Sequence, residues 1–498
     1  MFHFGKKKYL VVFINMPLVT VVCAAYFAYQ TQKQLKKQSS SSSSAGGGEE
    51  QLIDNNVSTE GKTKIALLPL EESLSILELP ISSINFFRGN YQNVISHLEH
   101  RVEVILKINP WLAGWLIRDK DDASHLKILY DPEGRDRPLG GHFKAFEPFV
   151  IPISQQTTEY REYSKLLKSM GVMLPANHKL IGKDAPFFKV ALIPDATEPD
   201  GGFAITMSLS HAVADSGTFY TLLQMLDVDN PAMPLIAERN LVCATSVQEQ
   251  TETNPGDYIR NAVQKPPIDL TGTRNEESVY RMFYVHEDWL LQQKSRRVSV
   301  FDKNQEGSSA NLDHSPAMAT SVSANSIIAS WFFKLTRCTV GFMTVDLRNR
   351  LDDSAAAVSA KHAGNYTMAL PYTSCDYHSP GLIQESLISL RRCGSDPPTP
   401  LPMIAWNTTA SLALNWATYF RDELFLHDQV QQIIHLPLYD ADILCHVPGR
   451  LSMIFVFTAK PTGSNGETRR AGAIVLCRQS IWEKIRECGI VDEMIAEM

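Results

Sequence analysis

The stretch Phe203-Ala-Ile-Thr-Met-Ser-Leu-Ser-His211-Ala-Val-Ala-Asp215-Ser-Gly-Thr-Phe-Tyr-Thr-Leu-Leu-Gln-Met-Leu226 decides how the rest of the chain is read. Phe203, Ile205, Met207 and Leu209 alternate with small or polar residues, the period of a half-buried strand, and Phe219, Leu222, Leu223 and Leu226 recur at helical spacing. The stretch therefore reads as strand, loop, helix, with His211 and Asp215 at the turn. A histidine there suits a general base, because an unperturbed pKa of roughly 6.5 keeps a neutral imidazole available at physiological pH. An aspartate four residues on is placed to fold back against a cation and lock the loop without touching substrate. A strand-end histidine is more often structural than catalytic, so the motif takes its weight from the segments around it.

Upstream, Pro186–Ile193 reads as a strand, and Asp195–Gly202 as the turn that returns the chain into the motif strand, so His211 lies at the end of a β-hairpin. Tyr91, Val94, Ile95, Leu98, Val102, Ile105 and Leu106 fall on one face of a helix over residues 88–107, ended by Asn109-Pro110. A strand follows at Trp111–Ile117, with Leu126–Tyr130 as its partner, and a helix is expected at 159–169. Downstream, strands are expected at Val279–Val285, Val340–Val345, Gly364–Pro371, Leu451–Ala459 and Ala471–Cys477. Helices are expected at 287–296, Ser321–Leu335, from Ser379-Pro380 to about Arg392 as N-cap and N1, and after Ser480. Residues 300–318, rich in Gly, Ser, Asn and Asp, read as a surface insertion.

Composition sets the class. The chain has 498 residues, 44% apolar and 20% charged, the profile of a folded protein with ample core and room for two domains. A formal net charge of −7, with no basic block in the body, gives no footing for nucleic-acid binding. Cys23, Cys243, Cys338, Cys375, Cys393, Cys445, Cys477 and Cys488 form neither a C-x-x-C pair nor a zinc-spaced cluster, so no disulfide frame and no metal site are expected.

Tyr9–Tyr29 is an uncharged run long enough to span a bilayer as one helix, flanked by Lys6, Lys7 and Lys8 and by Lys33, Lys36 and Lys37. It reads as an uncleaved anchor, with a cleaved signal peptide as the rival reading. Equal lysine counts on the two flanks leave the orientation open. The unpatterned cysteines suit a reducing compartment, so a single-pass protein of the endoplasmic reticulum with a cytosol-facing body is expected. Asn56-Val-Ser, Asn365-Tyr-Thr and Asn407-Thr-Thr are glycosylation sequons that would speak for the other side. The expected organisation is an anchor over 1–37, a Ser/Gly-rich tether over 38–64, a first half over 65–228 carrying the motif, a crossover linker over 229–277 and a second half over 278–498.

The segments LEHRVEVILKINPWLAGWL, SLSHAVADSG, VSANSIIASWFFKLTRC, VDLRNRL and GNYTMALPY, in that order, resemble the BAHD acyltransferases and, more distantly, chloramphenicol acetyltransferase and the condensation domains of peptide synthetases. The resemblance implies an α/β (α+β) fold of two similar halves with a tunnel between them, His211 at its centre, acyl-CoA entering at one mouth and the acceptor at the other. It implies His211 as general base, Asp215 as structural aspartate paired with Arg348, and Ser216, Gly217 and Asn365 in the substrate and CoA region. It further implies acyl-CoA as co-substrate with no bound cofactor, an alcohol or amine as acceptor, and a monomer. A carrier-bound thioester donor, or a tunnel that only binds a ligand, are the alternatives. Two features depart from the family: Ser216 stands where glycine usually follows the aspartate, and Leu438–Gly449 matches the C-terminal Asp-Phe-Gly-Trp-Gly segment of plant members only in an acid, a Pro and a Gly. If not a passive cap for the helix that follows, Ser216 would narrow the acceptor's approach.

Overall fold

The computed structural model describes residues 61–72, 80–119, 125–134, 141–148, 160–195, 201–243, 278–295, 322–351, 354–394, 400–404, 408–420, 422–439, 450–460 and 469–492. The Tyr9–Tyr29 run, most of the tether, the 300–318 insertion, most of the crossover and the Asp440–Gly449 segment lie outside them. Among the described residues no helix is long and apolar enough to cross a membrane.

The motif strand forms as β7 (Gly202–Leu209), but all of its residues are buried rather than half of them. The reason is its place in a five-stranded sheet, β12-β2-β7-β6-β5, built from β12 (Gln431–Leu438), β2 (Ile81–Arg88), β6 (Phe188–Pro194) and β5 (Phe143–Ala145). With a strand on each side and both faces covered, even the polar alternates are interior. Ser208 meets the demand this creates: its hydroxyl lies 2.7 Å from that of Ser82 on β2 and accepts from the Leu174 amide at 3.0 Å. The hairpin β6–β7 pairs antiparallel from Phe188 opposite Leu209 to Pro194 opposite Phe203, which delivers the chain to His211 one residue past Ser210.

A second, seven-stranded sheet runs β10-β9-β11-β13-β14-β8-β15, from β10 (Thr367–Tyr372), β9 (Val340–Asp346), β11 (Ala410–Asn415), β13 (Leu451–Lys460), β14 (Arg470–Arg478), β8 (Ser278–Val285) and β15 (Val491–Asp492). β11 is parallel to both its neighbours, and the other pairings are antiparallel. β1 (Thr63–Ala66), β4 (Leu126–Tyr130) and β3 (Trp115–Arg118) make a third, antiparallel sheet. β1 begins at Thr63, inside the expected tether, two residues before the expected start of the first half at Ile65.

The two sheets do not divide the chain as its sequence does. β12 comes from the second half yet pairs with β2 of the first, from Gln431 opposite Arg88 to Leu438 opposite Ser82. As an edge strand it tolerates Pro437. Its inward His435 is fully buried, with Nδ1 2.8 Å from Asn85 Oδ1 and Nε2 2.9 Å from Tyr220 Oη. Asn85 Oδ1 also accepts from Gln432 Nε2 at 2.8 Å, so it acts as acceptor toward the ring, Nδ1 carries the proton and Tyr220 donates to Nε2.

Helix ends follow their caps. The first helix covers Ile95–Ile108, later than the expected start, because Asn90 caps a 3-10 turn at Tyr91–Asn93 by accepting from the Gln92 amide. Ser379 and Pro380 start a helix as expected, but it ends at Ser389, where Leu390 turns left-handed at φ +56°. Ser323 caps the helix Ala324–Thr336. Trp111–Ala113 is 3-10 helix rather than strand, with β3 starting at Trp115.

Candidate active site

The loop His211–Asp215 lies between β7 and the helix Ser216–Gln224, whose N-cap is Asp215. Asp215 Oδ1 accepts from the Thr218 amide at 3.0 Å, so the cap is the aspartate, and Ser216 is the first helical residue rather than a cap. Arg348 follows β9 by two residues and forms a fork onto the same carboxylate: Nη1 donates to Oδ2 at 2.8 Å and Nη2 to Oδ1 at 3.0 Å. The Tyr366 amide donates to Oδ2 at 3.1 Å. The remaining donors of Arg348 reach the carbonyls of His362 and Gly364 at 2.9 Å each, Thr218 Oγ1 at 3.0 Å and Asp346 Oδ1 at 3.0 Å.

This is a buried cation between two carboxylates. Burial alone would lift the Asp215 carboxyl, but the Arg348 charge and the hydrogen bonds from Arg348, Thr218 and Tyr366 outweigh it and hold the pKa below its ordinary value. Asp346 shows the opposite balance: burial wins over Arg348, and its carboxyl is raised. Burial works against the charge on Arg348 too, yet Asp215 and Asp346 keep it firmly protonated.

Every hydrogen bond to the Asp215 carboxylate comes from Arg348, Thr218 or Tyr366, and none comes from the imidazole. The motif thus differs from a triad, in which a carboxylate orients the histidine directly. His211 is 7% exposed, and its Nδ1 is buried without a hydrogen-bond partner. Burial lowers its pKa to about 4, with the Asp215 charge and the residue's own carbonyl opposing it only in part. The ring is therefore neutral throughout the physiological range.

Gly217 occupies the second helical position beneath this cluster. A Cβ there would stand 3.0 Å from Arg348 Nη1 and 3.2 Å from Asp346 Oδ2, so the glycine makes room for the ion pair. Of the residues expected in the substrate region, Gly217 thus packs against the pair. Asn365 is buried also, and its Nδ2 donates to the His211 carbonyl at 2.9 Å. Its burial closes the Asn365 sequon to a glycan in the folded protein. The other two sequons fall outside the described residues.

Sequence reasoning missed three residues here. Asp346 was in plain view two residues before Arg348. Glu71 and Arg239 carry no motif; they form a second buried ion pair, Arg239 Nε to Glu71 Oε2 at 2.9 Å, with side chains 1% and 0% exposed. Among the described residues no group of His, Cys, Asp and Glu is arranged to hold a metal ion, and Cys243, Cys338, Cys375, Cys393, Cys477 and Cys488 are free thiols.

No protein-family profile and no curated protein sequence matches the chain. Solved structures do. TRI101 of F. sporotrichioides, complexed with coenzyme A and T-2, superposes with a TM-score of 0.51 at 12% identity, covering 85% of this chain and 97% of that one. Polyketide synthase associated protein 5 from Mycobacterium tuberculosis gives 0.50 at 13% identity, covering 86% and 98%. At such identities the likeness is one of fold, and it extends over nearly the whole of each neighbour. The mixed α/β architecture expected from the sequence resemblance is present, and it is the fold the chain shares with these two structures.

Proposed function

We propose that the protein transfers an acyl group from acyl-CoA to a hydroxyl or amine acceptor, with His211 as general base. One observation carries this reading: a buried, neutral imidazole stands at a strand end while the aspartate of its motif is committed to Arg348 and to the Thr218 and Tyr366 amides. That arrangement leaves His211 a proton acceptor held by its loop rather than a member of a relay. As the acceptor oxygen or nitrogen bonds to the thioester carbonyl carbon, His211 takes its proton. The tetrahedral adduct then expels the thiolate by C–S cleavage, and the proton passes to sulfur. No acyl-enzyme is needed. Burial makes a lasting imidazolium costly, so the charge on the ring is transient and compensated by the oxyanion beside it. A tunnel between the β7 and β9 sheets, with CoA at one mouth and the acceptor at the other, is the access route in this reading.

The coenzyme A in the TRI101 complex supports the donor class, since the two folds superpose over most of their lengths. The body is held to the endoplasmic reticulum membrane by residues 9–29 and faces the cytosol, where acyl-CoA is available. Removing residues 1–37 yields a soluble, active body, and a truncated protein that fails to fold contradicts this organisation. A glycosidase-induced mass shift, which could come only from Asn56 or Asn407, contradicts the cytosolic side.

The direct test is thiol release by the purified full-length chain with acyl-CoAs of graded length against hydroxyl and amine acceptors, alongside mass spectrometry of acylated metabolites in cells with and without the protein. Transfer from acyl-CoA supports the reading. Release only from carrier-bound thioesters replaces the donor, and binding of acyl-CoA without transfer to any acceptor removes catalysis altogether.

A further inference from the structure

The loop that carries His211 is held at three points by side chains from distant parts of the chain. Arg348 grips Asp215 at its end. Asn365 Nδ2 holds the His211 carbonyl at its beginning, 2.9 Å away. Between them, Arg239 Nη2 donates to the Val213 carbonyl at 2.6 Å. The same guanidinium bonds the carbonyl of Ala363 at 3.1 Å through Nη1 and Glu71 through Nε, so its fork is fixed on several sides.

Glu71 joins two of these holds. Its Oε2 takes Arg239 Nε and the Leu68 amide, each at 2.9 Å, and its Oε1 takes the Asn365 amide at 2.9 Å and Asn365 Nδ2 at 3.2 Å. One carboxylate thus sets the side chains that hold both the His211 and the Val213 carbonyls, yet it makes no hydrogen bond to the loop itself. Gly364 makes space for the arrangement: at φ +131°, with a Cβ 3.1 Å from Arg239 Nε, the position favours glycine on both counts. The ion pair lies in the interior, where a pair is retained for geometry more readily than for stability.

On the reading of His211 as the base, we infer that Glu71 and Arg239 are positioning residues for it, a second clamp that fixes the loop backbone where the Asp215–Arg348 pair fixes its end. The two clamps are independent in composition: Glu71 and Arg239 share no hydrogen bond with Asp215 or Arg348.

The test compares the full-length parent with Arg239→Lys and Glu71→Gln. Lysine keeps the charge opposite Glu71, but a single ammonium lacks the fork needed to hold both Glu71 and the Val213 carbonyl. Arg239→Lys should therefore lower the thermal midpoint less than Glu71→Gln does, while its kcat per folded molecule falls about tenfold or more at near-constant KM for acyl-CoA, the expected result of a displaced base. Glu71→Gln should lose both kcat and midpoint, because it strands a buried guanidinium.

A second readout does not need turnover: the rate at which diethyl pyrocarbonate modifies His211, read by peptide mass spectrometry, should rise severalfold in both variants as the loop loosens. A parent that releases no thiol from any acyl-CoA overturns the proposed function alone, and the modification rates still decide the clamp. Parent-like kcat and modification rates in Arg239→Lys overturn the clamp. So does a loss confined to KM, or a loss in both variants that only tracks the fraction of folded protein.

Discussion

Removing Arg348 should cost more than removing Asp215, although both changes break one ion pair. In Asp215→Ala the guanidinium keeps Asp346 as a counter-ion at 3.0 Å and retains the His362 and Gly364 carbonyls and Thr218 Oγ1. The losses are a helix N-cap, usually about 1 kcal/mol, and the orphaned Tyr366 amide, about 1 to 3 kcal/mol. A total near 3 kcal/mol follows. Arg348→Ala instead leaves the Asp215 and Asp346 carboxylates together without a cation, strips the His362 carbonyl of its donor and leaves the Gly364 carbonyl only the Asp215 amide, which belongs at the upper end for a broken buried pair, about 5 kcal/mol. The double variant should cost less than the sum, with a coupling above about 1 kcal/mol.

Urea denaturation of the four proteins measures this, and pH supplies an internal control. Without Arg348 both carboxyls rise above their unfolded values, so the folded state binds more protons and the variant's stability falls as pH rises through that window. The deficit of Arg348→Ala relative to the parent should therefore be smaller at pH 5 than at pH 8. Equal costs for the two single variants, or a deficit that does not change with pH, would refute the two-carboxylate account.

The remaining predictions concern His211, Gly364 and His435. Because the folded pKa of His211, about 4, lies below the unfolded value of roughly 6.5, the unfolded chain binds more protons between those limits. The neutral ring's contribution to stability is complete above about pH 6.5 and lost as pH falls through about 4, and the acid limb of kcat/KM in stopped-assay profiles should lie well below pH 6. A limb near pH 6.5 would mean a solvated imidazole. Gly364→Ala should lower the thermal midpoint and cost about 1 to 3 kcal/mol from backbone strain, with activity falling through the displaced Arg239; a parent-like midpoint would contradict this. His435→Phe should destabilise by about 1 to 3 kcal/mol, since Tyr220 Oη loses its acceptor in the core, while kcat per folded molecule stays near the parent's. A large kcat loss at full stability would give His435 a part in the reaction.

Much of this was legible because the motif is local. Strand, turn and helix around His211 follow from two periodicities, and the family resemblance pointed to Arg348 and Asn365, which do lie against Asp215 and the His211 carbonyl. What escaped was set by long-range packing. β2 carries Ser82 and Asn85 in its interior, and no strand is expected there until Ser208, Gln432 and His435 supply their partners from elsewhere in the chain. β12 carries Pro437 and two glutamines, and only its edge position makes it a strand. Glu71 and Arg239 are separated by 168 residues and belong to no periodic pattern, so nothing short of the fold brings them together. The expected half-buried β7 is buried on both sides for the same reason: one strand's pattern does not reveal what covers its other face.

The most direct test of the account is single-turnover transfer from acyl-CoA by His211→Ala, with near-ultraviolet circular dichroism as the control for folding. His211 accepts no side-chain hydrogen bond that the fold depends on at Nδ1, so the variant should fold like the parent. Its transfer rate should fall by about 10² to 10⁴, the usual contribution of a general base. A properly folded His211→Ala protein that transfers the acyl group at the parent's rate would contradict the claim that this histidine is the base.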